Sequence, residues 1–328
     1  MLKNIKKIFS PKLSKDQVYN TLLAFLDADN LGYGFDVRDL EERAHWPSAY
    51  ALISSAESHR HDVEGSSDSK ERALHCVDWL INNIGCSSTD APCWGVPYPR
   101  KIWMDKEPHP KNTAFAIPTV HSIQALCEIT EHIKSIKDKN YNEKLLDSAF
   151  LAADYFSTNC YDSTSKGISF WYSPLDAHSY HVTNAIGMVA GQVQRMHYYY
   201  PEKGNLADQA DRAVKYLLET RVFDSEGYGW KYFGDKIPEN KKNRQNDLLH
   251  DAFICHGLLE YKKYGGRLTK LIPDDEIYAC ISRFIRNDKV NEYPLSEENK
   301  RRRTLSARLW GIGHSLYVTS RIEGPNPD

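Results

Sequence analysis

The sequence is short of the signatures that usually announce a reaction. It has no Walker phosphate loop, no GxGxxG, no GxSxG and no HExxH, so phosphate-loop, dinucleotide, nucleophile-elbow and zincin chemistries have no support. Seven cysteines, at 76, 86, 93, 127, 160, 255 and 280, include no CxxC pair. An odd count with no secretory signal predicts a reduced, cytoplasmic chain. An excess of either charge is missing too. Lys and Arg number 42 against 44 Asp and Glu, a formal net charge of -2, which argues against a nucleic-acid partner. The first residues, MLKNIKKIFSPK, are neither a signal peptide nor a transmembrane segment. Residues 1–12 are expected to be a flexible basic N-terminus, with peripheral membrane contact through Ile5, Ile8 and Phe9 as the alternative. The basic run Lys300-Arg301-Arg302-Arg303 reads as a solvated loop or helix start.

The chain is rich in helical periodicity. Apolar spacing predicts ten helices, near 14–28, 46–57, 68–84, 113–134, 142–158, 179–199, 205–221, 247–264, 273–286 and 304–321. Residues 142–158 are amphipathic, as an outer helix must be, whereas 113–127, 181–193 and 248–259 are apolar or small nearly all round, as buried inner helices are. Runs at 167–172 and 227–232 predict small hairpins, each ahead of an inner helix. The repeating unit is outer helix, Gly/aromatic loop, inner helix. His121, His181, His250 and His314 mark successive inner helices at separations of 60, 69 and 64 residues. That exceeds an open solenoid period. The expectation is an all-α fold, one domain over 1–328: an (α/α) toroid of about five to six helix pairs with its loops at one rim. Oligomeric state is not legible.

Polar groups interrupt the inner helices. Asp247, His250 and Asp251 share the first turn of one, where Asp247 also suits an N-cap. Asp176, His178, Tyr180, His181 and Asn184 form the densest polar cluster, and Gly187 and Gly191 beyond them admit another backbone or a ligand. Aromatics crowd the same loops: Trp94, Tyr98, Trp103, Trp171, Tyr172, Tyr228, Trp230, Tyr232 and Trp310. Such rings either stack on sugar C–H faces or fasten the loops to the toroid. Cys255-His256-Gly257 resembles part of the lanthionine-cyclase zinc pattern, but the Trp-Cys partner is missing and Cys93-Trp94 reverses its order. No cofactor or metal is therefore expected, with zinc on Cys255, His256 and a distant third ligand as the alternative. The Asp-x-Asp-Asp acid motif of class II terpene cyclases is absent; Asp27-Ala28-Asp29-Asn30 is a near miss.

Trp94-Gly95-Val96-Pro97-Tyr98, Asn112-Thr113, Ile117-Pro118-Thr119, Asp247-Leu248-Leu249-His250-Asp251, Gly257 to Tyr261 and Ala307 to Gly313 carry a resemblance over residues 90–320. The chain resembles helical-toroid proteins of bacterial polysaccharide biosynthesis, of the vibrio-polysaccharide biosynthesis J type, and more distantly terpenoid-cyclase and six-hairpin-glycosidase-like toroids. The resemblance implies the toroid and a role near surface glycans, and brings no catalytic residue with it.

The expected function is carbohydrate modification in polysaccharide biosynthesis, with a carbohydrate or glycan precursor as partner. Glycoside cleavage would pair Asp176 with Asp251 or Asp247. A uronate lyase or epimerase would use His181, Tyr180 or His250 as base, with Arg308 and Asn184 on the carboxylate. Trp94, Tyr98, Asn112, Trp171, Tyr172, His178, Tyr180, Asn184, Trp230, Tyr232, Arg308, Trp310 and His314 are the expected substrate-binding residues. A non-catalytic glycan or partner scaffold is the first alternative, and a terpenoid- or peptide-processing toroid the second.

Overall fold

The structure is a computed structural model. It describes residues 14–36, 39–85, 92–99, 107–134, 138–175, 178–224, 227–239, 241–286, 289–294 and 306–322. The basic N-terminus, Cys86, Trp103, Asp176 and the Lys300–Arg303 run lie outside them.

Among the described residues, ten α-helices alternate between two layers. The outer ones are α1 (Lys15–Leu23), α3 (Ser67–Asn82), α5 (Lys139–Asn159), α7 (Leu206–Glu219) and α9 (Asp274–Ser282). The inner ones are α2 (Pro47–Glu64), α4 (Ala116–His132), α6 (Thr183–Tyr199), α8 (Leu248–Lys263) and α10 (Leu309–Thr319). Inner helices pack side by side in the order α2, α4, α6, α8, α10, and the outer helices lie against them. This is the all-α toroid expected from the sequence, with five outer–inner pairs among the described residues.

The two kinds of connection differ. Every step from an outer to an inner helix carries an antiparallel two-stranded hairpin: β1 (Tyr33–Asp36) with β2 (Asp39–His45), β3 (Gly95–Val96) with β4 (Thr113–Ala114), β5 (Tyr161–Thr164) with β6 (Gly167–Phe170), β7 (Val222–Asp224) with β8 (Gly227–Gly229), and β9 (Ile285–Arg286) with β10 (Lys289–Val290). The returns from inner to outer helix are shorter. At the tightest, Gly65 closes α2 in the left-handed region (φ 70°) and Ser66 caps α3 by accepting the Ser69 N–H at 3.2 Å. The five described hairpins therefore gather at the rim where the inner helices begin.

Burial follows the sequence pattern. Every residue of α6 from Thr183 to Met196 is buried, which explains the absence of a polar stripe. Gly187 and Gly191 serve close backbone approach: a Cβ would stand 2.9 Å from the Ile254 Cα and 2.6 Å from the Gly257 carbonyl oxygen respectively. The neighbour they admit is helix α8. Two of the rim tryptophans are fasteners. The Trp94 indole donates to the Leu80 carbonyl at 3.0 Å and the Trp230 indole to the Leu217 carbonyl at 2.9 Å, each tying its loop to an outer helix. The six described cysteines are buried and form no disulfide with one another. Among the described residues no helix is long and apolar enough to cross a membrane.

Candidate functional site

Between Leu248 and Tyr261 every residue of α8 is buried except His250. A partly exposed histidine in so apolar a helix needs support, and Asp247 supplies it. Asp247, in extended conformation at the N-cap, accepts the His250 backbone N–H at 3.1 Å and stands 2.5 Å from its Nδ1, both through Oδ1. Nδ1 is thereby the protonated nitrogen, and Nε2 keeps its lone pair with no hydrogen-bond partner among the described residues. The other carboxylate oxygen accepts from Arg308 Nη2 at 2.7 Å. Burial alone would raise the Asp247 pKa, but the His250 hydrogen bond and the Arg308 charge outweigh it and hold the carboxyl below its ordinary value.

The rim loops complete the cluster. After β8 the chain lies over the start of α6, with Thr183 N–H bonded to the Tyr232 carbonyl at 3.1 Å and Gly234 N–H to the His181 carbonyl at 2.7 Å. That path brings the Tyr232 ring edge-on to His250 at 5.0 Å. Arg308 lies 5.0 Å over the Trp310 ring, which is 49% exposed at the start of α10. Tyr232, Asp247, His250, Arg308 and Trp310 thus meet at one mouth.

Below the mouth, three helices turn polar stripes toward one another. His121, Gln124 and Glu128 stand on α4; Phe253, His256 and Glu260 on α8; His314 and Tyr317 on α10, with Arg321 just beyond it. Phe253 packs edge-on between His121 (5.6 Å) and His314 (4.6 Å), and His256 Nδ1 is 3.0 Å from His314 Nε2. Gln124 donates to the Tyr317 hydroxyl at 2.9 Å and to Glu128 at 2.8 Å. Both ring nitrogens of buried His121 lack a partner, and burial pushes its pKa down to about 4. His256 and His314 are likewise pushed down, first by burial and then by neighbouring cations and imidazoles. The lumen therefore holds three neutral imidazoles near pH 7.

A charged floor closes the far end. Arg195 of α6, fully buried, donates to Glu131 of α4 at 2.6 Å and to Glu260 of α8 at 3.3 Å. Tyr199 and Tyr264 add their hydroxyls to Glu131 at 2.6 and 2.7 Å, and Arg321 pairs with Glu260 and Glu128.

The other expected site residues lie elsewhere. His181 precedes α6 and faces outward, with Nδ1 3.0 Å from the Tyr216 hydroxyl and Nε2 3.1 Å from Asp162; burial, opposed by Asp162, lowers its pKa. Asp251 is fully buried on Arg283 (2.6 Å) and Asn246 (3.0 Å), away from His250, and burial raises its pKa against those two partners. His178 is 2.7 Å from the Ser173 hydroxyl and stacks on Phe115 at 5.3 Å, while Tyr172 packs on the same Phe115. Tyr98 sits edge-on to Trp46, Tyr180 edge-on to Phe233, Trp171 is half-buried, and Asn184 is buried in the first turn of α6. Asn112 occupies a left-handed turn position, φ 57°, between β3 and β4. Cys255 touches Cys280 on α9, whereas His256 faces His314 on α10, so the two zinc-type side chains do not converge.

Glu292 and the lumen residues Gln124, Phe253, Glu128, Glu260, Tyr317 and Arg321 were not anticipated. Gln124 and Glu128 lie three and seven residues after His121, as Tyr317 and Arg321 do after His314. That shared spacing was the available signal.

No family model matches the chain, and no curated protein matches it. Solved structures do. The cellobiose 2-epimerase of Bacillus thermoamylovorans B4167 aligns with a TM-score of 0.60 at 12% identity, covering 93% of this chain and 80% of that one. The GH76 alpha-mannanase BT2949 of Bacteroides thetaiotaomicron gives 0.54 at 12% over 85% and 69%. The unsaturated glucuronyl hydrolase of Bacillus sp. GL1 gives 0.54 at 12% over 84% and 74%. The likeness fixes the toroid fold. The polysaccharide-biosynthesis resemblance stays with its sequence motifs.

Proposed function

We propose that this protein is a carbohydrate-modifying enzyme that works by proton transfer at a carbon next to a carbonyl or carboxyl group, with His250 as the general base. The observation that carries this is the 2.5 Å contact of His250 Nδ1 with Asp247. It fixes the tautomer, leaves Nε2 basic, and sets the ring at the open end of an otherwise buried helix. Trp310, half exposed beside Arg308, offers a ring suited to a sugar face, while Tyr232 is buried edge-on against the imidazole. Removal of the proton by His250 and delivery of a solvent-derived proton to the opposite face of the enediolate gives an epimer; expulsion of the adjacent leaving group, which takes up a proton as it departs, gives an unsaturated product instead. Fold neighbours include an epimerase and hydrolases acting on sugars, so the substrate class suits the scaffold.

Glycoside cleavage by paired carboxylates has less support. Asp247 is occupied by His250 and Arg308, and Asp251 is in the core with Arg283. No residue assigned a role here requires a metal or cofactor.

The test is incubation with neutral reducing oligosaccharides and with uronate-containing ones in deuterated water. Deuterium at C2 or C5, or new unsaturation, is expected, with a loss of about 10²-fold or more in H250Q. New reducing ends unaffected by H250Q would replace the reading with hydrolysis. Glycan binding without any conversion would make the protein a scaffold.

A further inference from the structure

Glu292, just beyond β10, makes contacts that its loop position does not require. Its backbone carbonyl accepts the Leu248 N–H at 2.9 Å, at the first residue of α8. Its Oε2 accepts the Arg308 N–H at 2.9 Å, at the residue that opens α10. Its other carboxylate oxygen pairs with Arg308 Nη2, the same nitrogen that holds Asp247 Oδ2. The residues just before it are pinned to the start of α10, by the Asn291–Ser306 bridge and by Ala307 N–H on the Val290 carbonyl at 3.0 Å. Glu292 itself is 7% exposed.

We infer that Glu292 is a positioning residue for His250, acting through Arg308 and Asp247. This rests on the reading of His250 as the base. Arg308 is shared between two carboxylates, so Glu292 sets how much of that cation Asp247 receives, and Asp247 in turn holds the imidazole. The same arrangement gives Arg308 a task other than gripping a substrate carboxylate. Among the described residues, the charged and titratable groups around His250 are Asp247 at its own helix cap, Tyr232 from the loop after β8 with Arg244 over its ring at 5.9 Å, and Arg308 with Glu292 from the last hairpin unit.

The electrostatic consequence has a definite sign. Replacing Glu292 by Gln keeps the shape and an acceptor for the Arg308 N–H but removes one negative charge, and it leaves Arg308 undivided on Asp247. Both changes disfavour a protonated His250. In E292Q the acid limb of kcat/KM, and the midpoint of the His250 imidazole in an NMR titration, move down by about half a pH unit. R308Q removes the cation and moves both the other way. A purely structural role would lower stability and leave these midpoints in place; unmoved titrations in E292Q and R308Q overturn the inference. The NMR titration needs no turnover. A wild-type protein that exchanges no deuterium defeats the reading of His250 as a base, while the titration still decides whether Glu292 governs it.

Discussion

Asp247 Oδ1 meets His250 twice, through the backbone N–H at 3.1 Å and through Nδ1 at 2.5 Å. One carboxylate oxygen thus caps helix α8 and orients the imidazole. The two tasks separate under substitution. Asn is as good an N-cap as Asp, so D247N is expected to keep its stability, while D247A loses about 1 kcal/mol. Both should lose proton-transfer activity by about 10²-fold or more. Urea unfolding and the deuterium-exchange rate measure the two effects. Full activity in D247N would show that the charge on Asp247 is idle.

Arg195 joins α4, α6 and α8 beneath the lumen. R195M would strand part of the negative charge of Glu131 and Glu260 in a buried setting, at a cost of about 3–5 kcal/mol. The expected result is a lower urea midpoint with an unchanged slope. A loss below about 1 kcal/mol would mean that Lys263 and Arg321 neutralise the floor unaided.

His121 imposes a pH dependence on stability. Its folded pKa, about 4, lies below the unfolded value of 6.5, so the unfolded chain binds the extra proton. The native state keeps its full stability above pH 6.5 and loses stability as the pH falls toward 4, by roughly 3 kcal/mol from this group. In H121L the slope of unfolding free energy against pH should be shallower across that window by up to about 1.4 kcal/mol per unit. Parallel wild-type and H121L curves between pH 6.5 and 4 would contradict this.

Trp310 is half exposed beside His250's neighbour Arg308. W310A should leave the unfolding free energy within about 0.5 kcal/mol, as surface changes do. If its ring stacks on the sugar, KM rises about tenfold with little change in kcat. Initial rates over a range of sugar concentration check this, and an unchanged KM would remove Trp310 from the binding surface.

The layers were legible because burial leaves a direct mark on composition. Helix α6 has no polar stripe, α5 has one, and the hairpin units at 161–170 and 222–229 carry their glycines where the turns fall. The direction a histidine faces leaves no such mark. His181 and His250 each open an inner helix in the sequence, yet Asp162 and Tyr216 turn one outward while Asp247 holds the other at the mouth. Those outward partners lie 19 and 35 residues from His181 and carry no local pattern. Glu292 was illegible for the same reason: an acid in the connection from β10 to α10 reveals nothing until α8 and α10 are placed on either side of it. The tryptophans were ambiguous as residue types, and a single indole hydrogen bond in each of Trp94 and Trp230 resolved those two.

Because every hairpin lies at one rim and the ionic floor at the other, each inner helix has a polarity of tolerance along its length. On α8 the gradient runs from His250, through Phe253 and His256, to Glu260. Selection for a new substrate can rewrite the hairpins and the first turn without touching the electrostatic lock, and selection for durability can tighten the lock without altering what the mouth accepts. If His250 is the base, activity and thermal resistance are drawn in this ring from opposite ends of the same helices.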